Sequence, residues 1–379
     1  MNFQLNDTQK MMRDLARDFA TKELAPIAAE IDQEERIPKE IIEKMAEIGF
    51  TALNVPEEYG GPGLDTVCKV LVVSELARQC ASTAEVIAVH TLVNDIFLKH
   101  GTEAQKQKYL TAAVEGKIGA FALTEAGAGS DAAAAKTKAV VDGDDYVING
   151  SKCFISNMGP TEGDYVVVIA LTEPDKGVKG MSAIVVDRGT PGFTVGKREE
   201  KMGIRGADIS ELIFEDCRVP RSNLVGKEGE GFKIAMMALD GGRIGMAAQA
   251  LGICEAAIAA SVKYMGERVQ FGKPIGKNQG LQWYLADMAT RTEAAKALIL
   301  EAAVAADNGQ PLSKLAAMCK YYASENAVWV TNKALQIHGG YGYMRDYPIE
   351  RMYRDARIVP IYEGTSEVQK MVIAREVMK

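Results

Sequence analysis

IGAFALTE (118–125), YVINGSKCFISN (146–157), DYVVVIALT (164–172), MSAIVVD (181–187), FTVGKRE (193–199) and ISELIFEDCRV (209–219) are the runs on which the fold turns. Each is rich in Val, Ile and aromatic residues. Clusters such as DGDD (142–145) and RGTPG (188–192) separate them, as turn chemistry requires between strands. No helix of useful length lies between the runs. That spacing predicts an antiparallel β-sandwich or barrel, because a parallel sheet needs crossover helices.

Outward from this centre the period changes to helical. Towards the N-terminus, Met11, Leu15, Phe19 and Leu24 repeat at helical spacing. Pro38 opens a further helix that Gly49 closes. The apolar stretch 66–80 reads as a buried helix. Residues 84–98 follow Ser82 and Thr83, either of which can cap them, and 103–114 make one more short helix. Towards the C-terminus, Ala-rich runs at 231–265, 279–308 and 311–337 read as a helical bundle, with short helices near 348–355 and 366–378. The expected architecture is mainly α with a central β domain: an N-terminal helical domain (1–117), a middle β domain (118–229) and a C-terminal four-helix bundle (230–379).

Composition sets the function classes aside or keeps them. The chain has 379 residues, 47% hydrophobic and 25% charged, as in globular proteins. Lys plus Arg is 44 and Asp plus Glu is 51, so the net charge is 44 − 51 = −7. An acidic chain without a basic block is a poor partner for nucleic acid. Six scattered cysteines and three histidines form no zinc-ligand spacing, so no metal is expected. Cysteines in this pattern read as reduced core residues of a cytoplasmic protein. The N-terminus has neither the apolar core of a signal peptide nor the make-up of a transit peptide. No run approaches 18 uninterrupted apolar residues, so no membrane insertion is expected.

Three stretches carry chemical signals. Gly127-Ala128-Gly129-Ser130-Asp131-Ala132 fits a dinucleotide-binding glycine pattern, but no helix and second parallel strand follow it. It reads as a small-residue turn, or as a turn whose N–H groups face an anion or a flat ligand. No P-loop is present. Gln336 to Tyr343 (QIHGGYGY) holds three glycines beside two tyrosines. These either let backbone approach a ligand closely or form a helix C-cap; His338 taken alone reads as structural. Glu363 stands in PIYEGTSE (360–367), with Thr365 or Ser366 able to cap the last helix. Glu363 is either a solvated turn residue or, if enclosed, a carboxylate raised towards the range of a general base.

Taken in order, five motifs resemble the acyl-CoA dehydrogenase family over nearly the whole chain. They are Ala122-Leu123-Thr124-Glu125 with Ala128-Gly129-Ser130-Asp131, Gly150-Ser151-Lys152-Cys153-Phe154-Ile155-Ser156-Asn157, Arg268-Val269-Gln270-Phe271-Gly272, Gln336 to Gly342, and Ile361 to Ser366. Within the family the chain is most similar to the short-chain, butyryl-CoA branch. The resemblance implies FAD, an acyl-CoA substrate and α,β-dehydrogenation to a trans-2-enoyl-CoA, with flavin N5 as hydride acceptor. It implies Glu363 as the base for the α-proton. Some relatives carry the base on the first long helix of the bundle, where this chain has Gly242. Stabilisation of the enolate would come from the N–H of Glu363 and a flavin hydroxyl, and one such donor is typically worth about 3 kcal/mol.

The same resemblance implies flavin contacts at Phe121, Leu123, Thr124, Ser130, Phe154 and Ser156, with the Ser156 hydroxyl near N5. Thr365 and Glu367 match contacts at the start of the last helix. Arg268, Gln270, Phe271, Gln279, Gln336, Gly339 and Gly340 match residues that reach the adenosine diphosphate half from a neighbouring subunit, implying a homotetramer built as a dimer of dimers. Ser130, Asp240, Arg243, Tyr362 and Gly364 match substrate contacts. Electron-transferring flavoprotein is the implied partner. Alternatives within the fold are an enoyl-CoA reductase acting on crotonyl-, acrylyl- or aryl-acrylyl-CoA with a bifurcating partner flavoprotein, and an acyl-CoA oxidase. An alternative of another class is a non-catalytic acyl-CoA- or flavin-binding scaffold.

Overall fold

The structure, a computed structural model, describes residues 4–159 and 163–379. Helix α1 (Asp7–Phe19) starts at a capping box, with the Asn6 side chain and Gln9 exchanging bonds with each other's backbone. Its buried face is Met12, Ala16 and Phe19. Met11 and Leu15, expected inside, are 61% and 37% exposed. The small Ala16 lets α1 lie close to the apolar helix α4 (Thr66–Ala77), since interaxial distance follows the side chains at the contact. A π-helical turn at Ala20–Leu24 then returns Leu24 to the core. Next come α2 (Ala28–Glu34), α3 (Lys39–Glu47), α4 (Thr66–Ala77), α5 (Ala81–His100) and α6 (Glu103–Val114). Asp65 caps α4. Neither Ser82 nor Thr83 caps α5, because that helix begins earlier, after Cys80. Ser82 Oγ instead accepts the N–H of Gly206 at 3.2 Å.

The middle zone holds β1 (Gly119–Ala122), β2 (Lys138–Asp142), β3 (Asp145–Ser156), β4 (Tyr165–Leu171), β5 (Met181–Asp187), β6 (Phe193–Arg198), β7 (Ile209–Pro220) and β8 (Leu224–Val225). The strand order is β6-β7-β3-β2-β4-β5-β8, with β1 also paired to β4. Most pairs are antiparallel. Two are not: β1 runs parallel to β4, and β2 meets β4 in parallel at Lys138 and Leu171. A parallel pair needs a long crossover. Here the β2–β3 hairpin supplies it, so the helix that normally betrays a parallel pair in sequence is missing. Strand β4 is buried on both faces. Val166, Val168 and Ala170 pack with Tyr146, Ile148, Leu212 and Phe214 inside the β domain. Val167 and Ile169 pack on Phe97, Tyr109, Ile234 and Ala235 from the helices. A continuous apolar run is what such a strand requires.

The last zone comprises α7 (Gly231–Glu267), a short hairpin of β9 (Val269–Gln270) and β10 (Lys273–Pro274), α8 (Gln279–Asp307), α9 (Ser313–His338), α10 (Ile349–Ala356) and α11 (Ser366–Val377). Helix α7 is long and apolar enough to cross a membrane, yet 78% of its most apolar window is buried in the protein. It packs on α4, α5, α8 and α9, which is why it has no polar face.

The three zones are tied at one arginine. Arg354 donates to Asp32 on α2 (2.8 and 2.7 Å), Glu350 (2.7 and 3.0 Å) and the carbonyl of Met202 (3.1 Å). The adjacent Asp355 accepts the N–H of Ile204 at 2.5 Å. Removing one partner of a buried charge pair typically costs about 3–5 kcal/mol. Arg354→Ala is therefore expected to lower unfolding free energy by about 3 kcal/mol in a denaturant titration, with Asp32 left uncompensated.

Candidate active site

Two of the motifs meet first through a buried ion pair. Lys152, fully buried on β3, donates to the carbonyl of Leu123 (2.9 Å) and to Glu125 (2.8 Å). Glu125 also accepts the N–H groups of Lys136 and Thr137. Burial pushes the Glu125 carboxyl up, but Lys152 and the two N–H donors outweigh it and hold it below its ordinary value. The N–H of Cys153 donates to the Thr124 carbonyl. Lys152 and Glu125 are thus structural: they fix the strand ends that present Phe121, Leu123, Thr124 and Phe154.

Seven non-glycine residues among those described have positive φ. Three of them, Phe154 (58°), Phe271 (49°) and Glu363 (53°), are site residues expected from sequence. Each such conformation costs about 1–3 kcal/mol and persists where the surroundings over-determine it, often at functional sites. The clamp at Glu363 is visible. Lys320, fully buried on α9, donates to the Gly364 carbonyl at 2.7 Å. Gln369 Nε2 donates to the same carbonyl (2.8 Å) and to that of Glu363 (3.1 Å). Thr365 Oγ1 accepts the N–H of Val368 and caps α11, so its side chain serves the helix. Glu367 lies in the first turn of α11 and is exposed.

The Glu363 side chain is only partly exposed. Its Oε2 is buried and has no hydrogen-bond partner among the described residues. A Cβ built on Gly242 would stand 2.9 Å from that oxygen and 2.6 Å from Leu92. Glu363 and Gly242, the two positions at which the resemblance places a base, are therefore neighbours, and the glycine leaves the room that Glu363 occupies. Burial raises the Glu363 pKa; Arg243, Lys320 and Lys69 oppose it. Arg243, 5% exposed, bonds Asp240 at 2.6 Å, and Ser313 donates to the other Asp240 oxygen at 2.5 Å. The Lys320 ammonium is pushed down to about 8 by burial, with Glu363 pulling the other way. Tyr362 donates to Gln249, which donates to the carbonyl of Ala81 on α5.

A second cluster lies at the ends of α7, α8 and α9. Arg268, Gln270, Phe271, Gly339 and Gly340 line an open cavity of about 640 Å³. Gln279 and Gln336 stand next to its wall residues Asn278 and Ile337 and are not in the wall. The Arg268 guanidinium stacks on Tyr341 at 5.1 Å, and Phe271 is 98% exposed. His338 is structural in its bonding: its Nδ1 meets the Ala334 carbonyl and its ring stacks on Tyr264. Gly339 caps α9, as the helix C-cap reading has it, and also lines the cavity. In the 127–132 turn, Gly127 and Gly129 have nothing within 4 Å of a would-be Cβ, and Ser130 is exposed.

These features fit a flavin dinucleotide. An exposed aromatic on β3 (Phe154, 64% exposed) can cover a flat ring. Glycines with open space can admit backbone to a ligand, and a cation over an open cavity suits a diphosphate. Among the described residues, no group of His, Cys, Asp and Glu could hold a metal ion.

The sequence reading missed Glu85. This residue of α5 is fully buried, and its Oε1 accepts the Ser156 hydroxyl at 2.6 Å. It also passed over Lys320 and Gln369. The available signal was a lone charge inside an apolar helical run, as in AEVIAV (84–89) and AAMCKYYA (316–323).

Family models describe three successive parts of the chain: the acyl-CoA dehydrogenase N-terminal domain (residues 6–117), middle domain (120–217) and C-terminal domain (229–378). The chain is 59% identical over 382 residues to an acryloyl-CoA reductase (NADH) of Anaerotignum propionicum, covering 100% of this chain and 96% of that one. It is 47% identical to the butyryl-CoA dehydrogenase of Megasphaera elsdenii, with both chains fully covered and a TM-score of 0.98. It is 50% identical, again with full coverage and a TM-score of 0.98, to a chain from work on the electron-transferring flavoprotein of Acidaminococcus fermentans and flavin-based electron bifurcation. The chain belongs to the acyl-CoA dehydrogenase family, a family of flavoproteins, and is an oxidoreductase of that class.

Two buried acids here bind protons more tightly when folded. Burial pushes Glu85 from an ordinary 4.5 up to about 7, and Asp355 up to about 6. The unfolded chain releases these protons earlier, so stability falls as pH rises from about 4.5 to about 7. Melting temperatures across that range are expected to show Glu85→Gln gaining on wild type as pH rises.

Proposed function

We propose that this protein is an FAD-dependent dehydrogenase of short-chain acyl-CoA thioesters, in which Glu363 removes the α-proton. The observation that carries this reading is the buried, unpartnered Oε2 of Glu363 facing the space that Gly242 leaves open. Bound FAD would supply the hydride acceptor that no side chain can provide. It would be held by Phe121, Leu123, Thr124, Phe154 and Ser156 at the ring, with Ser130, Thr365 and Glu367 nearby. Arg268, Gln270, Phe271, Gln279, Gln336, Gly339 and Gly340 would hold the adenosine diphosphate half of a flavin bound by a neighbouring subunit. Tyr362, Gly364, Asp240, Arg243 and Ser130 would contact the acyl-CoA.

The chain's own residues divide the work. Glu363 accepts the α-proton at its carboxylate, and its raised pKa narrows the gap to a weakly acidic carbon. Arg243 and Lys320 oppose that rise and favour the ionised form that acts as a base. Lys320 and Gln369 hold the Glu363–Gly364 carbonyls, which fixes the direction of the neighbouring N–H groups towards an enolate oxygen. Leu92 borders the same space at Gly242 and gives it an apolar wall that disfavours water.

The reading includes three domains (1–117, 118–229, 230–379), a homotetramer, a cytoplasmic location and electron-transferring flavoprotein as partner. The similarity to the Acidaminococcus chain supports the last. The exposed Phe271 and Tyr341 in the cavity wall support a subunit contact there. A second reading reverses the direction, as a reductase of a short 2-enoyl-CoA. The 59% identity to an acryloyl-CoA reductase favours it.

Anaerobic titration with butyryl-CoA is expected to bleach the bound flavin band. Return of the flavin band when the reduced enzyme meets acrylyl- or crotonyl-CoA, with butyryl-CoA unable to bleach the oxidised enzyme, selects the reductase direction. Glu363→Gln is expected to keep flavin and bind substrate but lose reduction by several orders of magnitude in stopped-flow; near-normal reduction means the base is elsewhere. Arg268→Ala is expected to lower flavin content and loosen the oligomer in gel filtration. A fully loaded, intact tetramer would overturn the contact between subunits.

A further inference from the structure

Glu85 is a carboxyl where the helix pattern calls for an apolar side chain. It is fully buried on α5, and neither the ionic clamp at Lys152 nor the base at Glu363 requires it. Its Oε1 takes the Ser156 hydroxyl at 2.6 Å, while its Oε2 is buried with no hydrogen-bond partner among the described residues. The contact is held in register. Asn157, next to Ser156, donates from its side chain to the Val86 carbonyl at 3.0 Å and from its backbone to the Asp208 carbonyl at 3.1 Å. The charged and titratable groups around Glu85 are Lys201, Glu363, Asp208 and Tyr362. Lys201 favours the ionised form; Glu363 and Asp208 disfavour it, and burial outweighs all of them. Both protonation states are therefore populated near neutral pH.

A hydroxyl has one hydrogen to donate. When Glu85 is ionised, that hydrogen is committed to Oε1. When Glu85 is protonated, its own O–H can donate to Ser156 Oγ, and the serine hydrogen is released to another acceptor. We propose that the proton on Glu85 decides whether the Ser156 hydroxyl is available to the bound flavin, so that flavin reduction is coupled to proton uptake at Glu85. The proposal rests on the flavin reading above. The two electrons come from the thioester substrate or from an external reductant. The additional proton comes from solvent and forms an O–H bond on the Glu85 carboxylate; no other bond changes there. The sign follows from electrostatics, because negative charge arriving beside a carboxylate raises its proton affinity. Glu85 is thus a positioning residue, acting through Ser156.

The test is the midpoint potential of the bound flavin across pH 5 to 9, measured on the holoprotein by spectroelectrochemistry. Wild type is expected to show a steeper fall of potential with pH beginning near neutrality. Glu85→Gln, neutral at every pH, is expected to lose that steeper segment, and Ser156→Ala to reduce it. A steeper segment that survives in Glu85→Gln overturns the proposal, as does wild-type steepness in Ser156→Ala. A readout that leaves Glu85 intact guards against misfolding. In the Glu363→Gln background, electrochemical reduction near neutral pH is expected to increase the protonated-carboxyl infrared band, and no increase overturns the proposal. If FAD added to the wild-type chain is not retained, the flavin reading fails and this proposal with it. If FAD is retained and the profile shows no steeper segment, only the role of Glu85 fails.

Discussion

A 37-residue helix without a polar face has to be covered on every side. Helix α7 is that helix, and the architecture around it follows from the requirement. Burying its apolar surface contributes roughly 25 cal/mol for each Å² removed from water, so α4 and α5 from the N-terminal zone and α8 and α9 from the C-terminal zone close on it. The β domain joins through β5 and through the apolar face of β4. Because α7 lies at the centre, the residues along it become the floor of whatever site forms there. Gly242 and Arg243 are such residues, and the loop carrying Glu363 reaches them from the far end of the sequence.

The site is accordingly a place where charges are buried against their own cost. Desolvation penalises each charged form, and the responses differ. Lys152 and Glu125 compensate each other directly, and so become a fixed joint. Glu363 is only partly compensated by Arg243 and Lys320, which leaves a carboxyl of raised proton affinity and one open oxygen. Glu85 has a single hydroxyl donor and the charge of Lys201, and burial outweighs both. The same physics thus yields a structural ion pair, a candidate base and a titratable neighbour. What separates them is the number and charge of the partners each one meets.

Much of this was legible along the chain. The helical–β–helical order follows from the switch between periods of 3.6 and 2, and α6 coincides with its expected span at 103–114. Glu363, Gly242 and the glycines after His338 stood out because their residue types are unusual for their settings. Other features were not legible, for definable reasons. The stripe Met11-Leu15 and the face Met12-Ala16 are both consistent with a helix, and only the approach of α4 chooses between them. The parallel β1–β4 pair left no trace, since its crossover is a hairpin. A lone Glu at 85 or Lys at 320 looks like noise in an apolar run until a partner 40 or more residues away comes into reach.

The sequence by itself determined the three zones, the family and the identity of the candidate base, because periodicity, turn chemistry and ordered motifs are local properties that survive without a fold. Tertiary structure alone decided that one oxygen of the Glu363 carboxyl is buried, that Gly242 is its neighbour, and that Ser156 gives its hydrogen to Glu85. Burial and hydrogen bonding depend on which distant segments come together, and proton affinity depends on burial. The functional state of a carboxyl is therefore a property of the packed chain and not of the residue.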